Sequence, residues 1–183
     1  MQLRNSPVRY GLVSIVLHWS VALTVFALFA LGLWMVGLDY YSPWRKAGPE
    51  LHKSIGLVLL AVMLVRVLWR LASPPPPAIA THGMFTRVAA KLGHLALYGG
   101  LFAVMIAGYL ISTADGVGIP VFGLFELPAL VSDLPDQADL AGVVHYYLAW
   151  GLVILATLHG LAALKHHFID RDATLLRMFG RKA

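Results

Sequence analysis

The stretch from Ala141 to His167, AGVVHYYLAWGLVILATLHGLAALKHH, is an apolar segment of helix length carrying His145 and His159. Imidazole is the commonest side-chain ligand for a metal, so two such rings in an apolar helix pose a question of metal chemistry. They stand 14 residues apart. At roughly 100° and 1.5 Å per residue, that spacing leaves them about 40° apart around the helix axis and about 21 Å apart along it. They share a face, one near each end. A bilayer core is about 30 Å thick, so groups spaced this way sit one toward each leaflet. The chemistry implied is that of two separate centres, each histidine holding one haem.

Composition supports a membrane setting. The chain has 183 residues, 59% hydrophobic and 13% charged. That is too apolar for a soluble domain of this size, and it points to a single all-α integral membrane domain over 1–183. Cysteine is absent. Disulfides, thiolate iron–sulfur clusters and covalent c-type haem attachment are therefore excluded, and any haem is held without a covalent link. The formal net charge of +5 does not indicate nucleic acid, because the basic residues cluster beside apolar segments as topology signals do.

Four apolar spans can position the histidines, at about 11–38, 51–72, 87–112 and 140–168. The first follows MQLRNSPVRY and carries no formal charge from Gly11 to Leu38. A secretory signal is its competing reading, against which stand its length and the lack of a small-x-small cleavage site. Asp39 to Glu50 read as a polar turn, with Gly48-Pro49 placed to start the second helix. That helix ends at Pro74-Pro75-Pro76-Pro77, a stiff extended linker. Residues 113–139 read as a loop in which VFGLFELPALV is apolar enough to lie against the membrane and lid one side of the bundle. Residues 169–183 read as a basic tail trailing from the last helix.

The basic residues orient these spans. Of the 14 lysines and arginines, only Arg45, Lys46 and Lys53 fall on one side, together with Asp39, Glu50, Asp115, Glu126, Asp133, Asp136 and Asp139. The other side holds the rest, Lys182 included, which puts both termini inside and makes the acidic side periplasmic in a bacterium.

Orientation places the remaining histidines in depth. His18 lies early in an outward-running helix and His52 early in an inward-running one, so His18 matches His159 in the cytoplasmic half and His52 matches His145 in the periplasmic half. Two imidazoles facing one another across a bundle supply both axial positions of a haem iron, an arrangement suited to electron transfer. The bland alternative for any one of them is a histidine satisfied by backbone or water. A shared zinc or copper site is a further rival, but about 21 Å along one helix is too far for common coordination.

Small residues accompany this face. Gly142, Ala149, Ala156 and Ala163 recur at every seventh position of the last span, and Gly93, Gly100, Ala107 and Ala114 do so in the third. The first row would let a flat ring approach the backbone, whereas the second is better read as plain helix packing. Gly32 lies 14 residues beyond His18, and Arg66 14 beyond His52. Gly32 is read as clearing space for the second ring. Arg66 is read as a partner for a haem propionate or, equally, as an arginine snorkelling to the headgroups. His94 and His166 sit at the cytoplasmic end, suited to quinone oxygens or a proton relay, with a wetted helix-end histidine as the plainer reading. His82 and His167 carry no assigned role.

These residues resemble the bacterial cytochrome b561 family, and within it the superoxide oxidase type. The resemblance covers nearly the whole chain and is carried by LHW at Leu17–Trp19, LHKSIGL at Leu51–Leu57, VRVLWRL and the prolines at Val65–Pro77, LGH at Leu92–His94, the His145-to-His159 spacing, and the closing ALKHHF and TLLRM. It implies four transmembrane helices in a bacterial inner membrane and two b haems, ligated by His18 and His159 on the cytoplasmic side and by His52 and His145 on the periplasmic side. It also implies electron transfer from a periplasmic donor to ubiquinone, with His94 and His166 at the quinone end. For the superoxide oxidase type the donor is superoxide, and Arg45, Lys46 and Lys53 are then candidates for an anion-gathering mouth. Ordinary loop charges are the alternative. Two further functional classes stand beside this one: a haem-bearing anchor relaying electrons for a separate dehydrogenase or reductase subunit, and a haem-free membrane protein.

Overall fold

A computed structural model describes residues 2–79 and 81–181. Lys182, used above in reading the orientation, lies outside them. The elements run α1 (Leu12–Val36), α2 (Trp44–Ala72), α3 (Met84–Ser112), β1 (Ile119–Val121), β2 (Phe125–Leu127), α4 (Gln137–Phe168) and α5 (Thr174–Arg177). The first four α-helices in this order that exceed 18 residues, α1 to α4, are long and apolar enough to cross a membrane. At 1.5 Å per residue each exceeds the hydrocarbon thickness of about 30 Å.

Their surfaces explain why lipid rather than water suits them. Leu23, Leu68, Leu95 and Tyr147 are 69%, 66%, 67% and 69% exposed. In water such side chains would forfeit the gain from burying apolar area, which in lipid is recovered without a protein partner. The chain is therefore a four-helix membrane protein. Helix α2 begins at Trp44 and takes in Gly48-Pro49, where the sequence suggested its start. The proline lies close to the helix start, where few backbone bonds are lost, and Gly48 lacks the Cβ that proline would crowd.

The chain forms two compact units, Met1–Leu23, Val62–Leu97 and Ile154–Ala183 in the first, Thr24–Ala61 and Tyr98–Val153 in the second. In the first unit, Asn5 ties the amino-terminal segment to the end of α2. Its amide nitrogen donates to Ser73 Oγ at 2.9 Å and its side chain to the Ser73 carbonyl at 2.7 Å. Trp69 Nε1 donates to Ser14 Oγ at 3.1 Å, joining α2 to α1. The tail does not trail free. Trp19 stacks on Phe179 with ring centres 5.3 Å apart and donates to the Met178 carbonyl, while Arg177 donates to the Pro77 carbonyl at 2.8 Å. The basic groups of this segment, local signals of a solvated tail, are overridden here by the packing of aromatic side chains.

In the second unit the loop after α3 is more ordered than its three prolines suggest. It contains an antiparallel hairpin pairing Ile119 with Leu127 and Val121 with Phe125. Phe122 and Gly123 both take positive φ at its turn, as tight hairpins demand. Ile119 and Val121 are buried and alternate with Pro120, the period-two pattern of a strand with one covered face. Ser54 of α2 clips the hairpin, accepting from the Phe122 amide at 3.0 Å and donating to the Pro120 carbonyl at 3.4 Å. Fully buried Thr113 donates to the Val131 carbonyl at 2.9 Å, and Gln137 Nε2 to the Leu110 carbonyl at 2.9 Å. Tyr109 completes the clamp, donating to the Pro128 carbonyl and accepting from the Leu130 amide, each at 2.7 Å.

Candidate functional site: two histidine pairs

In the second unit α2 and α4 bring His52 and His145 together, with ring centres 6.2 Å apart and planes at 69°. In the first unit α1 and α4 do the same for His18 and His159, at 6.2 Å and 63°. A metal–imidazole bond is about 2.0–2.1 Å long. A ring with bonds near 1.33 Å holds each nitrogen about 1.1 Å from its centre. Two imidazoles in line on one metal therefore have centres about 6.3 Å apart. Both pairs have the separation that a shared axial iron requires, and it is too wide for ring–ring hydrogen bonding.

The second unit supplies three further fits. His145 Nδ1 lies 2.8 Å from the Val104 carbonyl. A carbonyl can only accept, so His145 carries its proton on Nδ1 and presents the Nε2 lone pair, the orientation that an outer hydrogen bond gives a metal-ligating histidine. His52 Nδ1 is buried with no hydrogen-bond partner. Glycines clear both rings: a Cβ on Gly32 would lie 3.5 Å from His52 Cε1, and one on Gly108 only 3.1 Å from His145 Cε1. A cavity of about 390 Å³ adjoins both histidines, walled by apolar side chains including Leu28, Val104 and Leu152, with Phe29 and Trp150 in edge contact. Its size falls in the range of about 300–1,000 Å³ usual for cofactor pockets. Ile119 of the hairpin also lines it.

Small residues divide as their neighbours dictate. Gly142 and Ala149 line the cavity. In the third span, Gly100 and buried Ala107 serve helix packing, a Cβ on Gly100 meeting Leu152 Cδ1 at 3.6 Å. Gly108 was not singled out in the sequence because it falls off the seven-residue row. Only its approach to His145 across two helices identifies it.

The first unit surrounds its pair differently. Arg66 reaches His18, its Nη2 lying 3.0 Å from His18 Nδ1, and its Nη1 donates to the Leu17 carbonyl at 3.4 Å. Guanidinium only donates, so Nδ1 accepts and a neutral His18 keeps its proton on Nε2. Ligation through Nε2 and this hydrogen bond exclude each other, since a neutral imidazole has one proton. A metal held by His18 through Nε2 would therefore require Arg66 to turn from Nδ1. His94 also approaches His159, at 5.2 Å between ring centres. That separation is about 1 Å short of what an intervening metal needs, so geometry favours His18 over His94 as the partner of His159.

His166 lies apart from the pairs, in a polar cluster with His82, Asp170 and Asp172. His82 Nε2 is 2.7 Å from Asp172 Oδ2, and the His82 and His166 rings are 4.7 Å apart. Burial works to raise the Asp172 carboxyl, but hydrogen bonds from Thr174 and His82 outweigh it and hold the group at about 2. The hydrogen bond from Lys165 likewise lowers Asp170. His82, to which no role was assigned, is thus part of an organised cluster.

The three cations expected at an anion-gathering mouth do not act alike. Lys53 lines the cavity beside His52. Arg45 is drawn back over its own turn, donating to the Leu38 carbonyl at 3.0 Å and lying 5.8 Å above the Tyr40 ring. Lys46 reaches Glu50 at 3.9 Å, a loose exposed pair of little energetic weight.

Known proteins carry the same pattern. A family model for prokaryotic cytochrome b561 matches residues 9–181. Cytochrome b561 homolog 2 of Escherichia coli K12 is 54% identical, covering 100% of this chain and 97% of that protein. A Yersinia pestis protein named probable superoxide oxidase CybB is 33% identical, covering 95% of this chain and 97% of its own length. Cytochrome b562 of Cereibacter sphaeroides is 30% identical over 92% of this chain and 94% of that one. With a family model matched over nearly its full length and its helices long enough to span a bilayer, the chain belongs to the prokaryotic cytochrome b561 family of membrane electron-transfer proteins, a family that implies b-type haem.

Proposed function

We propose that the chain is a di-haem cytochrome b that carries electrons across a bacterial inner membrane between a periplasmic donor and ubiquinone. The observation that carries this reading is the pair of 6.2 Å histidine separations, each built on a different histidine of one uninterrupted helix. His52 and His145 would hold the periplasmic haem, and His18 and His159 the cytoplasmic one. Bound there, haem b would supply one-electron redox chemistry. The chain's own residues do the rest. Val104 orients His145, Gly32 and Gly108 give clearance, and the apolar wall excludes water. Arg66, once displaced from His18, is the natural partner for a propionate. His94 and His166 are suited to the quinone end, where two electrons and two protons are taken up per ubiquinol formed.

Superoxide is the donor we favour among small reductants. Each superoxide would give up one electron and leave as dioxygen. Lys53, at the cavity beside His52, supports this by offering positive charge to an anion, as does similarity to the Yersinia pestis protein. A second reading is a relay for a separate dehydrogenase or reductase subunit; the Escherichia coli protein, at 54% identity, carries a name that points to neither donor.

A pyridine haemochrome assay on the purified chain tests the first claim. Two haems per chain are expected, falling to one in His52→Ala and one in His159→Ala, with different spectral components lost. Full haem content in either variant would refute the ligand assignment. Rapid mixing of the isolated chain with superoxide and ubiquinone then separates the donors: haem reduction followed by ubiquinol formation is expected, and no reduction by superoxide leaves the relay.

A further inference from the structure

The cluster around His82 belongs to neither histidine pair, and its atoms are arranged for coordination. Three ligand atoms, one from each of His82, His166 and Asp172, lie within 4.8 Å of one another. His82 Nε2 is 2.7 Å and His166 Nδ1 3.3 Å from Asp172 Oδ2. Donor atoms in a tetrahedral site with bonds of about 2.05 Å stand about 3.3 Å apart. One separation already has this value, and the other needs to open by about half an ångström.

The surroundings favour a metal over a plain hydrogen-bonded knot. His166 Nδ1 lies 2.7 Å from Asp170 Oδ2 and 3.3 Å from Asp172 Oδ2, so this imidazole faces two carboxylates. Asp172 Oδ1 accepts from the Thr174 amide at 2.7 Å, which fixes the carboxylate and leaves Oδ2 toward the histidines. Such outer hydrogen bonds orient ligands at metal sites. Both oxygens of Asp170 are taken by Lys165, at 2.9 and 2.7 Å. Asp172 therefore remains as the carboxylate turned to the two histidines. The three side chains are 16%, 17% and 9% exposed, and a cavity of about 360 Å³ adjoins them, lined also by Thr81 and Thr86. An ion can reach them, and there is room for a water to complete its shell.

We propose that His82, His166 and Asp172 form a binding site for a divalent transition-metal ion of the zinc class. Two imidazoles and one carboxylate suit zinc and its neighbours rather than calcium or magnesium, which take oxygen ligands. The ligands come from three separated segments: the residues before α3, the last turn of α4, and the tail. A metal there cross-links the tail to both helices. A further consequence rests on the quinone reading above: occupying His166 withdraws it from the quinone end, so zinc would inhibit quinone reduction.

Equilibrium dialysis of tag-free, haem-loaded protein against Zn²⁺, with elemental analysis, tests the site without reference to activity. One zinc per chain is expected, with affinity at least tenfold weaker in His82→Ala and in Asp172→Asn and unchanged in His167→Ala, whose ring lies outside the cluster. Haem content equal to that of the unaltered protein in each variant excludes misfolding as the cause, and a variant that loses haem is replaced by His82→Gln under the same criterion. X-ray absorption at the zinc edge should show nitrogen and oxygen neighbours at about 2.0 Å. Absence of stoichiometric zinc, or binding that survives loss of either His82 or Asp172, would overturn the proposal.

Discussion

At the scale of single residues, the four axial candidates are legible because spacing along a helix is a local property. Fourteen residues return a side chain to nearly the same face whatever the helix packs against. What surrounds each ring is not local. Gly108 gains meaning only because α4 brings His145 within 3.1 Å of where its Cβ would be. Gly108→Val should therefore displace the His145 ring and lower haem content by about one equivalent per chain. Gly93→Val, where a Cβ meets nothing within 4 Å, should leave both haems. Equal haem content in the two variants, read by haemochrome spectra, would remove the clearance role assigned to Gly108. Arg66 teaches the same lesson from the other side. Its face was legible, but its choice of His18 Nδ1 as acceptor depends on which polar atoms two helices happen to bring together.

At the scale of elements, hydropathy locates the long helices because each needs only its own composition to favour lipid. The connections depend on contacts that composition does not encode. The segment between α3 and α4 carries prolines and acids that read as loop, yet Ser54, Thr113 and Gln137 hold it in a defined place. Ser54→Ala removes a buried hydroxyl serving two backbone groups, a loss of about 1–2 kcal/mol. Hydrogen exchange at the Phe122 amide should then accelerate by about 5- to 30-fold, with little change in the tail. Unchanged exchange there would mean that Ser54 does not hold the hairpin. The tail is the converse case: its charges suggest solvent, but Trp19 of α1 takes Phe179 as a stacking partner.

At the scale of the whole molecule, the asymmetry of basic residues argues that both termini face the cytoplasm. A reporter active only in the periplasm should be silent when fused after Phe179 and active when inserted at Asp133. The reverse pattern would invert the direction assigned to electron flow. The sequence alone determined that this is a membrane protein with four apolar spans and no cysteine, and that its last span carries two histidines fourteen residues apart on one face. Each of these follows from composition or from periodicity within a single segment. Tertiary structure decided which imidazoles face one another at the separation an iron needs, what orients them, and where the hairpin and tail come to rest. It also gathered His82, His166 and Asp172 from segments up to 90 residues apart. Convergence of that kind is set by packing between helices, and the order of residues along the chain carries no direct trace of it.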